Sequence, residues 1–309
     1  MMLKPNFLIV GAMKSGTTSL YRYLRHHPQV TMTTIKEPRF FSFMGESQNA
    51  FQAVLQKRNW TFKTINHTAD YLALFPQDNN AMGDASPQYL YLHEKTIPNI
   101  QAFYGRDYNK LKIIIILRNP VERAYSDYMM WLSNGMVQEP FEYFLFDHVT
   151  NYDVTKLPLK PFMNWVDIGF YYQQVAHYMR YFPHTKVFLF DELKENTPQL
   201  LMQLFEFIEV DPHAFIPNIT RQYNISGKPR NRYIHALFYY ENILRTCLET
   251  VLPAHVYYNL VERIRQLNLK PITMKQNTRH YLQGIYHDDL VKLQDLIQRD
   301  LSDWLREKI

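Results

Sequence analysis

Phe7-Leu8-Ile9-Val10-Gly11-Ala12-Met13-Lys14-Ser15-Gly16-Thr17-Thr18-Ser19-Leu20 is the stretch that decides the fold. Four apolar residues ending in Gly read as a buried strand that breaks at a turn. Gly11 and Gly16 bracket a short loop, after which Leu20, Tyr23 and Leu24 recur at helical spacing. Strand, Gly-bounded loop and helix make a phosphate cradle, because loop N–H groups and the helix N-terminus point at one anion. Lys14 adds positive charge, and Thr17 and Thr18 add hydroxyl donors. The common triphosphatase pattern is G-x-x-x-x-G-K-[ST], with Lys directly after the second Gly. Here Lys14 precedes Gly16 and Thr17 takes the usual lysine place, which argues against an ordinary ATPase.

The clearest strand is Lys112-Ile113-Ile114-Ile115-Ile116-Leu117, whose lack of alternation marks a parallel strand buried on both faces. It runs into Arg118-Asn119-Pro120-Val121-Glu122-Arg123-Ala124-Tyr125-Ser126. A triphosphatase strand of this kind ends in an acidic residue for Mg²⁺. Arg118 stands there instead, so the protein supplies the cationic charge itself. Pro120 and Val121 open a helix with Ser126 in its early turns, which lets Arg118 and Ser126 converge on one anion. Arg suits that role because its planar fork binds phosphate oxygens bidentately.

These two motifs carry a resemblance. PNFLIVGAMKSGTTSLYRYL resembles the 5′-phosphosulfate loop of sulfotransferases that use 3′-phosphoadenosine-5′-phosphosulfate (PAPS), in the heparan-sulfate and bacterial branches. The R-x-P-x-x-R-x-x-S run resembles the 3′-phosphate motif of the same enzymes. The resemblance implies a P-loop α/β fold, a central parallel sheet flanked by helices, spanning residues 1–309 as one sulfotransferase domain. It implies transfer of a sulfuryl group from PAPS, leaving 3′,5′-ADP, with no metal. Lys14, Ser15, Gly16, Thr17 and Thr18 are then donor-loop residues, and Arg118 and Ser126 hold the 3′-phosphate. Tyr171 matches the tyrosine that the family places beside cofactor and acceptor. Gly227, Lys228 and Arg230, in Asn224-Ile225-Ser226-Gly227-Lys228-Pro229-Arg230, match a loop closed over the 3′-phosphate. A solvated basic linker fits that stretch as well.

Glu37, in Lys36-Glu37-Pro38-Arg39-Phe40-Phe41, follows a plausible strand at Val30–Met32. Flanked by Pro and aromatics, its carboxylate is a candidate base; a surface Glu paired with Lys36 or Arg39 is the alternative. The resemblance favours the catalytic role, because heparan-type enzymes carry their base in this setting. His93 is the fallback base. Asp84 and Ser86, in Gly83-Asp84-Ala85-Ser86-Pro87, lie in a segment that the family places near the sulfate and are candidates of second rank, for which a helix N-cap role is the favoured alternative. The heparan branch has Lys where Ala85 stands.

Composition sets the remaining bounds. A 46% apolar, 20% charged chain of 309 residues is ordinary for a globular protein. A net charge of +5 suits a polyanionic cofactor and gives no case for nucleic acid. The single cysteine, Cys247, forms no internal disulfide, and the longest aliphatic run is too short for a membrane span. With a strand already at residue 7 there is no room for a signal peptide, so a cytoplasmic protein is expected if the chain is complete; a domain cut from a larger protein carries no such expectation. Four Asn-x-Ser/Thr sequons, at Asn59, Asn66, Asn218 and Asn224, are of a kind that arises by chance.

Residues 42–80 read as one wall of an acceptor cleft and residues 135–168 as an insertion or lid. Lys186–Leu193 reads as a further parallel strand running out to an acidic turn. Leu201, Leu204, Phe205 and Ile208 form a core stripe, and Leu290, Leu293, Ile297, Leu301 and Trp304 one face of a C-terminal helix. The expected acceptor is a glycan or small-molecule hydroxyl or amine. No feature of the sequence encodes the oligomeric state. A P-loop nucleotide kinase and a non-catalytic phosphonucleotide-binding module are the rival readings.

Overall fold

A computed structural model describes residues 4–46, 65–76, 80–134, 137–146, 164–214, 228–231, 261, 263–264, 267–270 and 272–306. Five of its strands form one parallel sheet: β1 (Phe7–Gly11), β2 (Val30–Met32), β3 (Ala81–Ala85), β4 (Lys112–Leu117) and β5 (Thr185–Leu189). Their order is β2-β3-β1-β4-β5, so β1 and β4 are neighbours at the centre, Leu8 opposite Ile113 and Ile9 opposite Ile114. Parallel pairing requires a crossover between successive strands, and helices supply it.

Alternation along the strands sorts side chains into two cores. Phe7, Ile9, Ile114 and Ile116 pack with Leu20 and Leu24 of α1 (Thr17–His26) and with Leu200, Leu201 and Leu204 of α10 (Thr197–Phe207). Leu8, Val10, Ile113, Ile115 and Leu117 face the other way. They meet residues of α5 (His93–Tyr104), α6 (Pro120–Ser133), α8 (Tyr171–Tyr181) and α11 (Gln276–Ile297). Each apolar side chain buried this way contributes about 1.5–3 kcal/mol, so the apolar runs of β1 and β4 are the mechanical centre of the molecule.

Shorter helices complete the chain: α2 (Phe40–Phe43), α3 (Thr68–Leu72), α4 (Gln88–Tyr91), α7 (Phe141–Phe146), α9 (Phe190–Glu195) and α12 (Ser302–Leu305). A separate two-stranded antiparallel ribbon joins β6 (Lys228–Pro229) to β7 (Leu269–Lys270) and lies against α6.

Two sequence expectations need correction, and one strand had no signal in the sequence. Ala81–Ala85 is a fully buried strand between β2 and β1, although Gly and Asp disfavour strands. Gly83 is required there because a Cβ would lie 2.1 Å from the Phe7 ring. Strand β5 ends at Leu189, and the acidic turn expected after it is helix α9. The C-terminal helix stops at Ile297, so Leu301 and Trp304 belong to the turn and short helix beyond it. Of the segment 42–80, residues 47–64 and 77–79 lie outside the described residues, as do 135–136 and 147–163 of the expected lid. Among the described residues no helix is long and apolar enough to cross a membrane.

Candidate active site

All five strands of the sheet deliver their following residues to one edge, as parallel strands must. Beyond their C-terminal ends stand Lys14 after β1, Glu37 after β2, Ser86 after β3, Arg118 after β4 and Phe190 after β5. This is the edge at which open parallel sheets bind ligands.

The loop after β1 turns through Lys14 (φ 64°) and Gly16 (φ 95°), both in the left-handed region. For Lys14 this conformation is uncommon and costs about 1–2 kcal/mol. A Cβ on Gly16 would lie 2.8 Å from Leu193 and 2.9 Å from Phe190, so glycine is needed for space as well as for φ. Helix α1 starts directly after Gly16, with Thr17 buried and Thr18 half-buried. The Ser19 and Leu20 amides bond the Gly16 carbonyl at 2.9 and 3.1 Å, and the first two helical amides, those of Thr17 and Thr18, precede any acceptor four residues back in the helix. Ser15 is fully buried beneath it.

Lys14 reaches across to α6, where its Nζ lies 3.4 Å from Met130 Sδ. Burial lowers its pKa; the neighbouring Asp127 carboxyl opposes this and the Arg118 guanidinium adds to it. Arg118 donates from Nη1 to the Lys14 carbonyl at 3.1 Å, tying the β4 terminus to the loop. Its guanidinium also sits 4.9 Å from the Phe190 ring centroid, a cation–π contact. Beneath Arg118, the fully buried Tyr171 donates its hydroxyl to the Arg118 carbonyl at 3.0 Å. Burial pushes the Tyr171 phenol up to about 12. It is therefore a neutral hydrogen-bond donor supporting the turn from below.

Helix α6 begins as its sequence implies. The Asn119 side chain accepts from the Val121 and Glu122 amides, and Pro120 occupies the first helical position. Ser126, half-buried, follows on the same helix. Behind it, Arg123 and Asp127 form a fully buried ion pair at 3.1 Å. Lys228 starts the ribbon that packs on α6, and Arg230 is exposed, its amide donating to the Asn268 carbonyl at 2.6 Å. Gly227 lies outside the described residues.

Glu37 and Arg39 are also left-handed, each with φ 59°. Both partners considered from sequence are engaged at once. Glu37 Oε2 accepts from Arg39 Nη2 at 3.0 Å, and Lys36 pairs with Oε1. Burial alone would raise the Glu37 pKa, but Lys36 and Arg39 outweigh it and hold the carboxyl down at about 2. Glu37 is an ionised, 25% exposed carboxylate.

A buried polar chain supports this turn. The Arg39 amide donates to Ser86 Oγ at 3.1 Å, and the Ser86 hydroxyl donates to Asp84 Oδ1 at 2.9 Å. Asp84 also accepts from Tyr89 at 2.7 Å and Tyr71 at 3.2 Å. Burial raises its pKa to about 6 despite those three hydroxyls. Asp84 and Ser86 thus fasten the Glu37 turn rather than cap a helix, and Ala85 is buried within β3. His93, the fallback base, is buried against His177, the two Nδ1 atoms 2.9 Å apart.

The match to a known family model, described as a sulfotransferase domain, runs over residues 4–237 and takes in the loop, Glu37, Arg118 and Tyr171. The chain belongs to the sulfotransferase family. This sulfotransferase is 31% identical over 181 residues to human heparan sulfate glucosamine 3-O-sulfotransferase 6, covering 58% of this chain and 44% of that one. It is 33% identical over 148 residues to the membrane-associated sulfotransferase kil1 of Dictyostelium discoideum, covering 47% and 27%. A crystal structure of a sulfotransferase from Alicyclobacillus acidocaldarius superposes with a TM-score of 0.71 at 26% identity, covering 98% of this chain and all of that one. The chain spans less than half the length of the curated relatives it matches.

Sequence reasoning missed Phe190, Met130 and Asp127. Phe190 was readable only as the end of an apolar run; its place under Arg118 depends on the strand stopping one residue earlier. Met130 and Asp127 lie on the face of α6 that approaches Lys14, and nothing local to either residue announces this.

Proposed function

We propose that this sulfotransferase transfers the sulfuryl group of PAPS to a hydroxyl or amine of an acceptor, a carbohydrate or a secondary metabolite. Arg118 at the end of β4, bonded to the Lys14 carbonyl, carries this reading. A Mg²⁺-dependent kinase needs a carboxylate at that strand end, and here the strand end and the donor loop are joined through a cation.

Lys14, the amides at the start of α1, Ser15, Gly16, Thr17 and Thr18 suit the 5′-phosphosulfate. Arg118 and Ser126, with Lys228 and Arg230 from the ribbon side, suit the 3′-phosphate, and Gly227 joins them on its sequence motif alone. In the reaction the acceptor oxygen or nitrogen attacks sulfur, the bond from sulfur to the 5′-phosphate oxygen breaks, and 3′,5′-ADP leaves. Lys14 and the loop amides stabilise charge growing on the departing oxygen, the kind of preorganised contribution that is largest in group transfer. Glu37, ionised at neutral pH, accepts the acceptor's proton. Remote contacts to the 3′-phosphate hold the reacting atoms in line.

The acceptor class is supported by relatives whose names describe heparan sulfate N-sulfotransferase and heparan sulfate glucosamine 3-O-sulfotransferase activities. One domain over residues 1–309 is supported by the superposition with the full Alicyclobacillus chain. A cytoplasmic location goes with this reading, since the single cysteine can form no internal disulfide that would call for an oxidising compartment.

Thermal-shift titration with 3′,5′-ADP, 5′-AMP and Mg·ATP tests the assignment. Ligand linkage stabilises by about 2.7 kcal/mol at a hundredfold excess over Kd. At matched concentrations 3′,5′-ADP should therefore raise Tm well beyond the other two. Stabilisation by Mg·ATP alone overturns the proposal.

A further inference from the structure

The family model stops at residue 237, yet the segment 276–306 reaches back to the donor side at several points. Asp289 of α11 receives the first-turn amides of α8: its Oδ2 accepts from Tyr171 N at 2.8 Å and from Tyr172 N at 3.2 Å. A carboxylate at a helix N-terminus satisfies orphan donors and meets the positive end of the dipole. It thereby fixes the start of α8, where Tyr171 stands, and the Tyr171 hydroxyl supports the Arg118 carbonyl.

A second contact comes from the other end of the segment. Trp304 Nε1 donates to Asp191 Oδ2 at 2.9 Å, and the Trp304 carbonyl accepts from Asn119 Nδ2 at 3.3 Å. Asn119 follows Arg118 in the chain, and Asp191 follows Phe190, whose ring lies against the Arg118 guanidinium. Arg299, between the two helices, pairs with Glu192 on the same turn of α9. Arg118 is therefore supported from below through Tyr171 and from the side through Phe190 and Asn119. Both supports are anchored in the segment beyond the family match.

We propose that Asp289 and Trp304 are positioning residues that hold Arg118 in register for the 3′-phosphate, so that selectivity for 3′-phosphorylated nucleotides depends on the C-terminal segment. This inference rests on the assignment of Arg118 to the 3′-phosphate. Its physical basis is that a flexible Arg loses rotamer freedom on binding, and a pre-ordered one loses less.

The test compares the full chain with Asp289→Ala, which removes the acceptor for the Tyr171 and Tyr172 amides, and Trp304→Phe, which removes the donor to Asp191. Calorimetric titration gives Kd for 3′,5′-ADP and 5′-AMP, and melting without ligand reports folding. Loss of one supporting hydrogen bond should cut the 3′,5′-ADP to 5′-AMP selectivity about fivefold in each variant, with 5′-AMP affinity nearly unchanged. If the unsubstituted chain shows no such selectivity, the assignment of Arg118 fails, independently of the brace. If it is selective and the folded variants keep its ratio within about twofold, the brace is overturned. Equal weakening for both nucleotides also overturns it, because general destabilisation acts that way. Should one variant melt below the assay temperature, the other decides the matter, since the two act through separate contacts.

Discussion

Lys14 and Glu37 share a left-handed backbone at the C-terminal edge of the sheet, with φ of 64° and 59°, but their surroundings differ. The Lys14 turn is held through its carbonyl by Arg118 and by close packing of Gly16 against Phe190 and Leu193. Its ammonium lies against a thioether. The Glu37 turn is held in part through its functional group, whose carboxylate is paired with Lys36 and Arg39. A donor loop can be rigid and still present its charge. The base side presents a carboxylate whose proton affinity is suppressed by the contacts that fix it. An acceptor that draws Lys36 or Arg39 toward itself would restore basicity to Glu37 as it docks.

The strongest way to break this comparison is at the base. Glu37→Gln keeps size and should lower kcat by about 10²- to 10⁴-fold, with 3′,5′-ADP affinity nearly unchanged. Steady-state kinetics beside nucleotide titration checks both. Near-normal turnover in Glu37→Gln, with loss in His93→Asn, would move the base to His93 instead.

At the donor loop, Lys14→Ala should lower turnover by about 10²- to 10³-fold. Unlike the Glu37 variant it should also weaken PAPS and 3′,5′-ADP, because it removes charge from the donor site. A Kd left at the wild-type value would show that Lys14 acts on the transition state alone.

Gly16→Ala places a methyl where φ is 95° and where Phe190 and Leu193 already stand. We expect about 1–3 kcal/mol of destabilisation, read as a lower urea midpoint with unchanged slope, and weaker 3′,5′-ADP binding. An unaffected midpoint would mean that the loop relaxes freely.

The smallest effect, and the one that sharpens the contrast most, is the pH response of Lys36→Ala. Glu37 titrates at about 2 in the fold, below its ordinary 4.5. Because the folded pKa is depressed, the pairing stabilises the protein above about pH 4.5, and this contribution disappears as pH falls through about 2. Removing Lys36 should let the carboxyl titrate at higher pH. Urea midpoints of the two proteins should then differ by less than about 1 kcal/mol above pH 4.5 and converge near pH 2. A difference that persists at pH 2 would mean that Lys36 stabilises by packing.

Much of the fold was legible because its central strands are buried on both faces. Phe7–Val10 and Lys112–Leu117 have no polar face, so only a central parallel position suits them. Pro120 after Asn119 declared the start of α6 through cap chemistry that is local to the chain. Strand β3 was illegible for the complementary reason. Gly83 and Asp84 are poor strand formers, and they are tolerated because Phe7 fills the space over one and three hydroxyls satisfy the other. Those partners are distant in sequence.

The same division runs through the site. Local sequence determined the strand-loop-helix cradle, the cation at the end of β4 and the carboxylate after β2, because each depends on residues adjacent in the chain. Tertiary structure alone decided that Glu37 is ionised and paired on both oxygens, that Phe190 lies against Arg118, and that Asp289 and Trp304 brace the donor side from beyond residue 237. Desolvation, ring contacts and helix capping by a remote carboxylate depend on which surfaces meet in space. That meeting is set by the packing of the whole sheet and its helices, and no window of neighbouring residues contains it.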